Sequence, residues 1–170
     1  TYKNGTLKVT NATITVTEPD QSYTYNGSAR GSAITATTVN SQTATIKYGT
    51  TSGTYNLTSA PTRTDVGTTT VYWQVTAPNH TAKIGDYKLT ITQKSVTFTA
   101  TSQTKVYDGT ALTVANTATP TTGGDLVSGH TASFTCSATS VTNVGSSTKS
   151  ISNVTIKDGS GNIVTANYSI

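Results

Sequence analysis

An all-β fold is predicted from the threonine content of the chain and from the alternation of its apolar and polar residues. About a quarter of the 170 residues are threonine, whose β-branched side chain suits pleated, half-buried surfaces and disfavours helix. The chain is 33% hydrophobic and 11% charged, a balance that excludes a membrane protein and a highly charged disordered chain. No segment spaces its apolar residues at the helical period.

The chain also repeats itself. A shift of 82 positions, the distance from Leu7 to Leu89, lays residues 7–29 on residues 89–111 without a gap. In that register Tyr25-Asn26-Gly27 meets Tyr107-Asp108-Gly109. A repeat of this length predicts two small β modules in series, and serial arrays more often provide reach than chemistry.

We predict modules at residues 11–93 and 94–170, preceded by a separate strand at residues 1–10. Residues 1–9 include the counterpart of the closing strand of the first module, residues 85–91, although they precede that module. Residues 1–10 are therefore interpreted as the closing strand of an upstream repeat, and the second module as lacking its own last strand. Because a free sheet edge invites strand addition, we expect residues 1–10 to complete the second module of a neighbouring molecule, head to tail.

Alternation at a period of two marks the strands in chain order. Residues 68–76 place Val71, Trp73 and Val75 on one face, so Trp73 is predicted to point into the core. Laying Asn143-Val144-Gly145 on the matching Asp-Val-Gly of the first module puts Ile151 at the Trp73 position. Similar alternation predicts strands at residues 12–17, 32–37, 44–49, 87–92, 95–100, 111–116, 131–136 and 162–166.

Turn-forming clusters such as NGS, TTSG, YDG and DGSGN separate these short strands. Roughly seven short strands in each module, joined by close turns, are typical of an immunoglobulin-like β-sandwich. The predicted fold is therefore two tandem immunoglobulin-like β-sandwich modules.

The polar residues are predicted to be structural, and no catalytic, cofactor or metal site is expected. His80 and His130 lie in different modules without an acidic or thiol partner at a ligand spacing, which predicts surface loops. Glu18 and Asp20 flank a proline, as in a solvated turn. Residues 158–162 predict a hairpin turn in preference to a calcium loop, because no later bidentate glutamate follows. Neither a nucleophile elbow nor a phosphate loop is present, so an enzyme is not expected.

Neither nucleic acid nor membrane is an expected partner. The net charge of +4 comes from scattered lysine and arginine residues without a basic run or interleaved aromatic residues. No stretch approaches the roughly 20 apolar residues needed to span a bilayer. The single cysteine, Cys136, shares a predicted strand face with Phe134 and is expected to be buried.

Tyrosine side chains supply the one candidate ligand surface. Tyr48, Tyr55 and Tyr72 would form a stacking patch for a glycan or a host surface ligand if they cluster on one exposed sheet face, since a phenol ring offers an apolar face and a hydroxyl. A carbohydrate-binding or host-adhesion module is therefore the alternative to a purely structural one.

The second module opens with a motif that resembles the signature of the YDG and MBG repeats of bacterial surface proteins, Lys105-Val106-Tyr107-Asp108-Gly109-Thr110. The first module is similar to an MBG unit at residues 23–27, 46–49 and 64–79, with Asn26 in place of the usual aspartate. Repeats of these families close with Asn-Tyr-x-Ile followed by Tyr-x-x-Gly-x-Leu-x-Val. Residues 167–170 match the first half of that ending, and residues 2–9 match the second.

The resemblance implies immunoglobulin-like sandwiches strung along large secreted or wall-attached bacterial proteins, often adhesins, with no catalytic residues or cofactor. It therefore implies an extracellular location at the bacterial cell surface or cell wall, neighbouring repeats as partners, and a stalk or spacer function. Asp65-Val66-Gly67 is also similar to the start of the immunoglobulin tyrosine corner, although Thr69 stands at the tyrosine position. The sparse carboxylates offer no evident promoter for an intramolecular isopeptide cross-link.

Overall fold

The computed structural model describes residues 1–19, 21–113, 118–120, 125–137 and 140–170. Within these ranges the protein is all-β, as predicted, and its helical turns are two short 3-10 segments, Val39–Ser41 and Thr165–Asn167. The chain forms two compact units. The first comprises Thr1–Tyr23 and Ser28–Ile91, and the second comprises Thr24–Gly27 and Thr92–Ile170.

Two sheets build the first unit. One is four-stranded in the order β2-β6-β5-β4, and the other pairs β1 with β3 in antiparallel fashion. The ten-residue strands β5 and β6 pair in register from Gly67 opposite Ile91 to Val75 opposite Lys83. The strands are β1 (Thr15–Thr17), β2 (Ser22–Thr24), β3 (Thr35–Thr37), β4 (Thr45–Gly49), β5 (Gly67–Thr76) and β6 (Lys83–Thr92).

The core of the first unit follows from the alternation in β5 and β6. Val71 and Val75 are fully buried and Trp73 is 4% exposed, which confirms that Trp73 points inward. Each fully buried valine or leucine contributes about 1.5–3 kcal/mol. Ile14 and Ile34, beside β1 and β3, join the same apolar cluster, so the two sheets share one core.

Glycine makes room for the tryptophan ring across the strand pair. Gly85 lies directly opposite Trp73 in the β5–β6 ladder, and a Cβ atom at Gly85 would lie 2.3 Å from Cζ2 of the indole. The indole ring thus packs directly over the backbone of β6.

Several strands of the first unit differ in length from prediction. The strands expected at residues 12–17 and 32–37 are limited to three residues each, while Ile14 and Ile34 are buried immediately before them. The strand β2 was not predicted, because three residues with a single partly buried side chain carry little periodicity.

The second unit contains short strand pairs. β7 pairs with β14 in parallel, whereas β8 pairs with β10, β9 with β12 and β11 with β13 in antiparallel fashion. The strands are β7 (Lys94–Ser95), β8 (Phe98–Ala100), β9 (Leu112–Thr113), β10 (Ala118–Pro120), β11 (Thr131–Cys136), β12 (Ser140–Val141), β13 (Ile151–Lys157) and β14 (Tyr168–Ser169).

The predicted strand at 131–136 is confirmed, but the one at 162–166 is wrong. Ile163 makes only an isolated bridge to Lys157, and the 3-10 segment follows it. Residues 114–116 of another predicted strand lie outside the described residues.

Ile151, which the alignment of the two modules places at the Trp73 position, lies in β13, a strand that contains a bulge. Asn153 and Val154 together face the single residue Phe134, because the register shifts between Ser133 and Thr135. Asn153 has φ of 53°, in the left-handed region. The extra residue interrupts the alternation, so Ile151 is half-buried and a different residue, Ile156, is fully buried.

Cys136 is half-buried and not fully buried as expected. The burial pattern of β11 nevertheless places it on the same face as Phe134. The centroids of the Phe134 and Phe98 rings are 6.2 Å apart. This face of β11 therefore packs against β8 through the two aromatic rings.

Candidate functional site

The glycines of the two copies of the repeat signature share one backbone conformation. Gly27 and Gly109 both have φ of 78°, in the left-handed region that favours glycine. The glycine of the signature is therefore required by backbone conformation in both copies.

In the second copy, Asp108 organises the turn. The Asp108 Oδ1 accepts hydrogen bonds from the backbone N–H of Thr110 at 2.9 Å and from the Thr110 hydroxyl at 2.7 Å. Lys105 Nζ pairs with the same oxygen at 2.8 Å and also contacts the Thr110 hydroxyl. These donors, Lys105 first, lower the pKa of the Asp108 carboxyl. The carboxylate is thus used by its own turn.

In the first copy, Tyr25 lies in the core of the second unit. Its ring lies 5.5 Å from that of Tyr168, edge-on, and 6.1 Å from that of His130. Val127 N–H donates to the Tyr168 hydroxyl at 3.1 Å, and that hydroxyl lies 2.8 Å from His130 Nδ1. Burial raises the pKa of Tyr168, against the opposing effect of the Val127 hydrogen bond. We call Tyr25, His130 and Tyr168 the aromatic cluster.

The aromatic cluster differs from one sequence prediction, and only one of the two signature tyrosines belongs to it. His130 lies in the loop before β11, as predicted, but its side chain is half-buried against two tyrosine rings. Tyr25 is 4% exposed, whereas Tyr107 is 62% exposed. Equivalent positions of the repeat thus have opposite environments.

An open groove lies beside the exposed copy of the signature. It has a volume of about 610 Å³ and is lined by residues 100–107, Thr110, Leu112 and residues 141–149. Two apolar side chains on its walls, Val106 and Val144, are 89% and 90% exposed. We call this feature the signature groove.

His80 is also misassigned to a surface loop by sequence reasoning. It is 9% exposed, its Nδ1 lies 2.6 Å from the Pro78 carbonyl, and its Nε2 accepts a hydrogen bond from Val39 N–H at 3.1 Å. Because Nε2 accepts from Val39 N–H, Nδ1 is assigned as the ring nitrogen that donates to the Pro78 carbonyl. It joins two loops of the first unit and is not free for chemistry.

The predicted tyrosine patch does not form as proposed. Tyr48 is 3% exposed and its hydroxyl accepts a hydrogen bond from Ile34 N–H at 3.1 Å. Burial raises the pKa of this phenol. Tyr48 pairs with Trp73 across β4 and β5 and shares its inward face, whereas Tyr72 alternates to the opposite face of β5. Tyr55 and Tyr72 remain half-buried.

Glu18 has a role that its sequence context did not indicate. Its exposed carboxylate accepts the indole N–H of Trp73 at 2.8 Å. The predicted solvated turn is therefore also the hydrogen-bond acceptor of the core tryptophan, which needs a partner when buried. Asp20, the other member of the predicted pair, lies outside the described residues.

Residues 158–162 form the predicted hairpin turn. Asp158 Oδ1 accepts the backbone N–H groups of Ser160 and Asn162 at 2.9 and 2.8 Å. Asn162 Nδ2 donates to Oδ2 at 3.0 Å. The Asn162 donors are the main cause of the lowered pKa of Asp158. Both carboxylate oxygens thus accept hydrogen bonds within the turn.

Arg63 holds the turn that leads into β5. Arg63 Nε and Nη2 donate to the carbonyls of Asp65 and Val66 at 2.8 and 2.9 Å, and Nη1 donates to the Thr69 hydroxyl at 3.0 Å. Gly67 has φ of 134°, and a Cβ atom there would lie 2.3 Å from Nη2. Sequence reasoning missed Arg63, although its position before Asp-Val-Gly was a usable signal.

No group of three or more potential metal ligands comes together in the described ranges. No helix in the same ranges has the length and apolar character to cross a membrane.

Comparison with known proteins finds no family model and no curated protein that matches the chain.

Proposed function

We propose that the chain is a non-catalytic structural segment that forms a stalk or spacer in a bacterial surface or secreted adhesin-like protein. In this proposal its modules are tandem immunoglobulin-like β-sandwiches of the MBG and YDG type. The observation that carries the proposal is the repeat of 82 positions, whose two signature turns share one backbone conformation at Gly27 and Gly109. Serial modules hold a distal binding region away from the cell.

The packing of the first unit supports a sandwich. Residues beside β1 and β3 and residues of β4, β5 and β6 contribute to one apolar cluster. Two sheets that bury their inner faces against each other are the defining feature of this architecture.

The engagement of the polar side chains supports a structural role. His80, Glu18 and Asp158 each use their side-chain atoms on turns, loops or the core tryptophan. A catalytic group needs an atom directed at a substrate, and these groups are directed at the protein itself.

The strand pair of β5 and β6 supports a mechanical role. Nine residue pairs are in continuous antiparallel register, so tension applied along the chain is shared among many interstrand hydrogen bonds. Exposed threonine and few charges keep the outer faces polar without a strong net field.

The alternative, a glycan-binding module, requires three exposed tyrosines, and one of them, Tyr48, is buried. Tyr48 is committed to the core through its ring and its hydroxyl. The remaining pair, Tyr55 and Tyr72, is half-buried, and a stalk is therefore favoured over a tyrosine-based lectin.

Force spectroscopy on several copies of the chain linked in series tests the proposal. We expect unfolding steps of equal length, two per chain, each releasing about 80 residues or roughly 260–290 Å before the folded length is subtracted. Linked handle domains of known step length provide the internal control. A single step per chain, or steps of scattered length, would contradict serial modules.

A further inference from the structure

We propose that the signature groove binds residues 2–9 of a second copy of this chain as an added β-strand. The contact is head to tail, with the N-terminal segment of one molecule in the second unit of the next. The inference rests on the repeat that also underlies the proposed function.

The first unit shows which strand belongs beside the signature. There β6 lies between β2 and β5. On one side Thr90 N–H donates to the Gln21 carbonyl at 2.8 Å. On the other side Leu89 lies opposite Thr69 and Ile91 opposite Gly67. The strand is thus held from both edges.

The signature groove is lined by the sequence counterparts of both neighbours of β6. Residues 103–107 correspond to residues 21–25 by the shift of 82 positions, and residues 145–149 correspond to residues 67–71 when the Asp-Val-Gly and Asn-Val-Gly motifs are aligned. Both segments line the groove. The groove is therefore lined by the counterparts of the two segments that flank β6 in the first unit.

Residues 2–9 have the sequence that this position requires. Leu7 and Val9 align with Leu89 and Ile91 in the 82-position register. Leu89 and Ile91 are 0% and 2% exposed, whereas Leu7 and Val9 are 99% and 98% exposed. Two apolar side chains that correspond to core positions of the repeat are therefore exposed to solvent. The polar residue between them would face outward in an added strand.

The register predicts the contacts of the added strand. Leu7 would lie opposite Ser147 and Val9 opposite Gly145, as Leu89 and Ile91 do against Thr69 and Gly67. Lys8 N–H would donate to the Gln103 carbonyl, as Thr90 does to Gln21. Main-chain hydrogen bonds would supply affinity and the alternate apolar side chains would supply register.

A head-to-tail contact of this kind joins two different surfaces and therefore extends to open chains or closes to rings. The occupant is a second copy because the matching strand is found in this chain's own residues 2–9. Open chains built from this one contact would lengthen a spacer, and no second kind of contact between molecules would be needed.

Paired cysteines test the register. In a Cys136→Ser background, Leu7→Cys with Ser147→Cys should form disulfides between molecules and give a ladder of multiples on a non-reducing gel, because directly opposed residues fall within disulfide distance. The matched control, Leu7→Cys with Ser59→Cys, keeps both thiols exposed but places the second in an unrelated loop. A control that cross-links equally, or a Leu7–Ser147 disulfide within one molecule, would overturn the proposal.

Molar mass in solution tests the contact without cysteines. Light scattering of the unmodified chain should show mass rising with concentration, and a synthetic peptide of residues 1–10 should reverse the rise. Leu7→Asp with Val9→Asp should weaken association roughly tenfold or more, since two carboxylates would have to leave water to enter the groove. Both residues are exposed in the single chain, so thermal unfolding of the variant should match the unmodified protein.

A monomer at every concentration, together with no cross-link, would overturn strand addition. The stalk proposal would survive that result if force spectroscopy still gave two equal steps per chain. Conversely, strand addition with irregular steps would leave the added strand in place and remove the spacer function.

Discussion

At the scale of single residues, the hydrogen-bond partner of a polar side chain distinguishes a structural group from a reactive one. The Tyr87 hydroxyl donates to the Ser32 carbonyl at 3.1 Å, and the side chain is 7% exposed. Burial, with smaller contributions from nearby Tyr48, Tyr23 and Glu18, raises the pKa of Tyr87 from 10.0 to about 12. Because its pKa is raised by burial, this phenol makes the free energy of unfolding depend on pH in the alkaline range.

The direction of that coupling gives a prediction. The unfolded chain loses the Tyr87 proton near pH 10 and the folded chain near pH 12, so the stabilisation is complete below pH 10 and is lost as pH rises toward about 12. Urea unfolding followed by the fluorescence of Trp73, the single tryptophan, measures this loss.

Phenylalanine variants separate Tyr87 from other alkaline effects. Tyr87→Phe should flatten the decline between pH 10 and about 12. Tyr107→Phe, which alters an exposed side chain, should leave the decline unchanged. Equal curves for Tyr87→Phe and the unmodified protein would contradict this assignment.

At the scale of elements, much of the fold is readable from local pattern. The alternation in β5 and the fit of β11 to residues 131–136 follow from the period of two that every strand imposes on its side chains. Bulges and short strands cannot be predicted from this period. The left-handed Asn153 resets the alternation in β13, and no composition signal marks which asparagine does so.

The start of β5 carries the prediction at this scale. Arg63→Ala removes donors from two carbonyls and the Thr69 hydroxyl. We expect a loss of about 1–3 kcal/mol in the free energy of unfolding, because hydrogen bonds to a charged group are stronger than neutral ones and the site is part-buried. Chemical denaturation measures the change.

Arg30→Ala is the matched control for this variant. Arg30 exchanges backbone hydrogen bonds with Arg63 while its own side chain is exposed. It should change stability by no more than about 0.5 kcal/mol. Arg63→Lys should recover only part of the loss, since a single ammonium cannot reproduce the guanidinium fork. Full stability in Arg63→Ala would contradict a stabilising role for these hydrogen bonds.

At the scale of the whole molecule, a residue's unit does not follow from its place in the chain. Residues 24–27 stand among strands of the first unit in sequence but belong to the second. Predicted boundaries drawn at single points along the chain could not express this, because a boundary in sequence is one cut while a compact unit is defined by contacts.

Tyr25 gives the corresponding prediction. Tyr25→Ala should cost about 3–5 kcal/mol, as for other buried aromatic residues, and should reduce hydrogen-exchange protection in β13 of the second unit. Tyr107→Ala, at the equivalent signature position and 62% exposed, should leave stability within about 0.5 kcal/mol. Loss of protection confined to β5 and β4 would contradict the assignment of Tyr25 to the second unit.

The sequence alone determined the features that depend on near neighbours in the chain. The all-β class, the inward face of Trp73 and the repeated signature turn follow from β-branched composition, period-two alternation and the left-handed conformation required of Gly27 and Gly109.

Tertiary structure alone decided which of these similar residues are buried. Tyr25 and Tyr107 share one motif, yet one lies in the aromatic cluster and the other beside an open groove. Tyr48 and His80 likewise entered the interior against expectation. Burial depends on which distant segment lies opposite a side chain, and such pairing is set by contacts that no local pattern encodes.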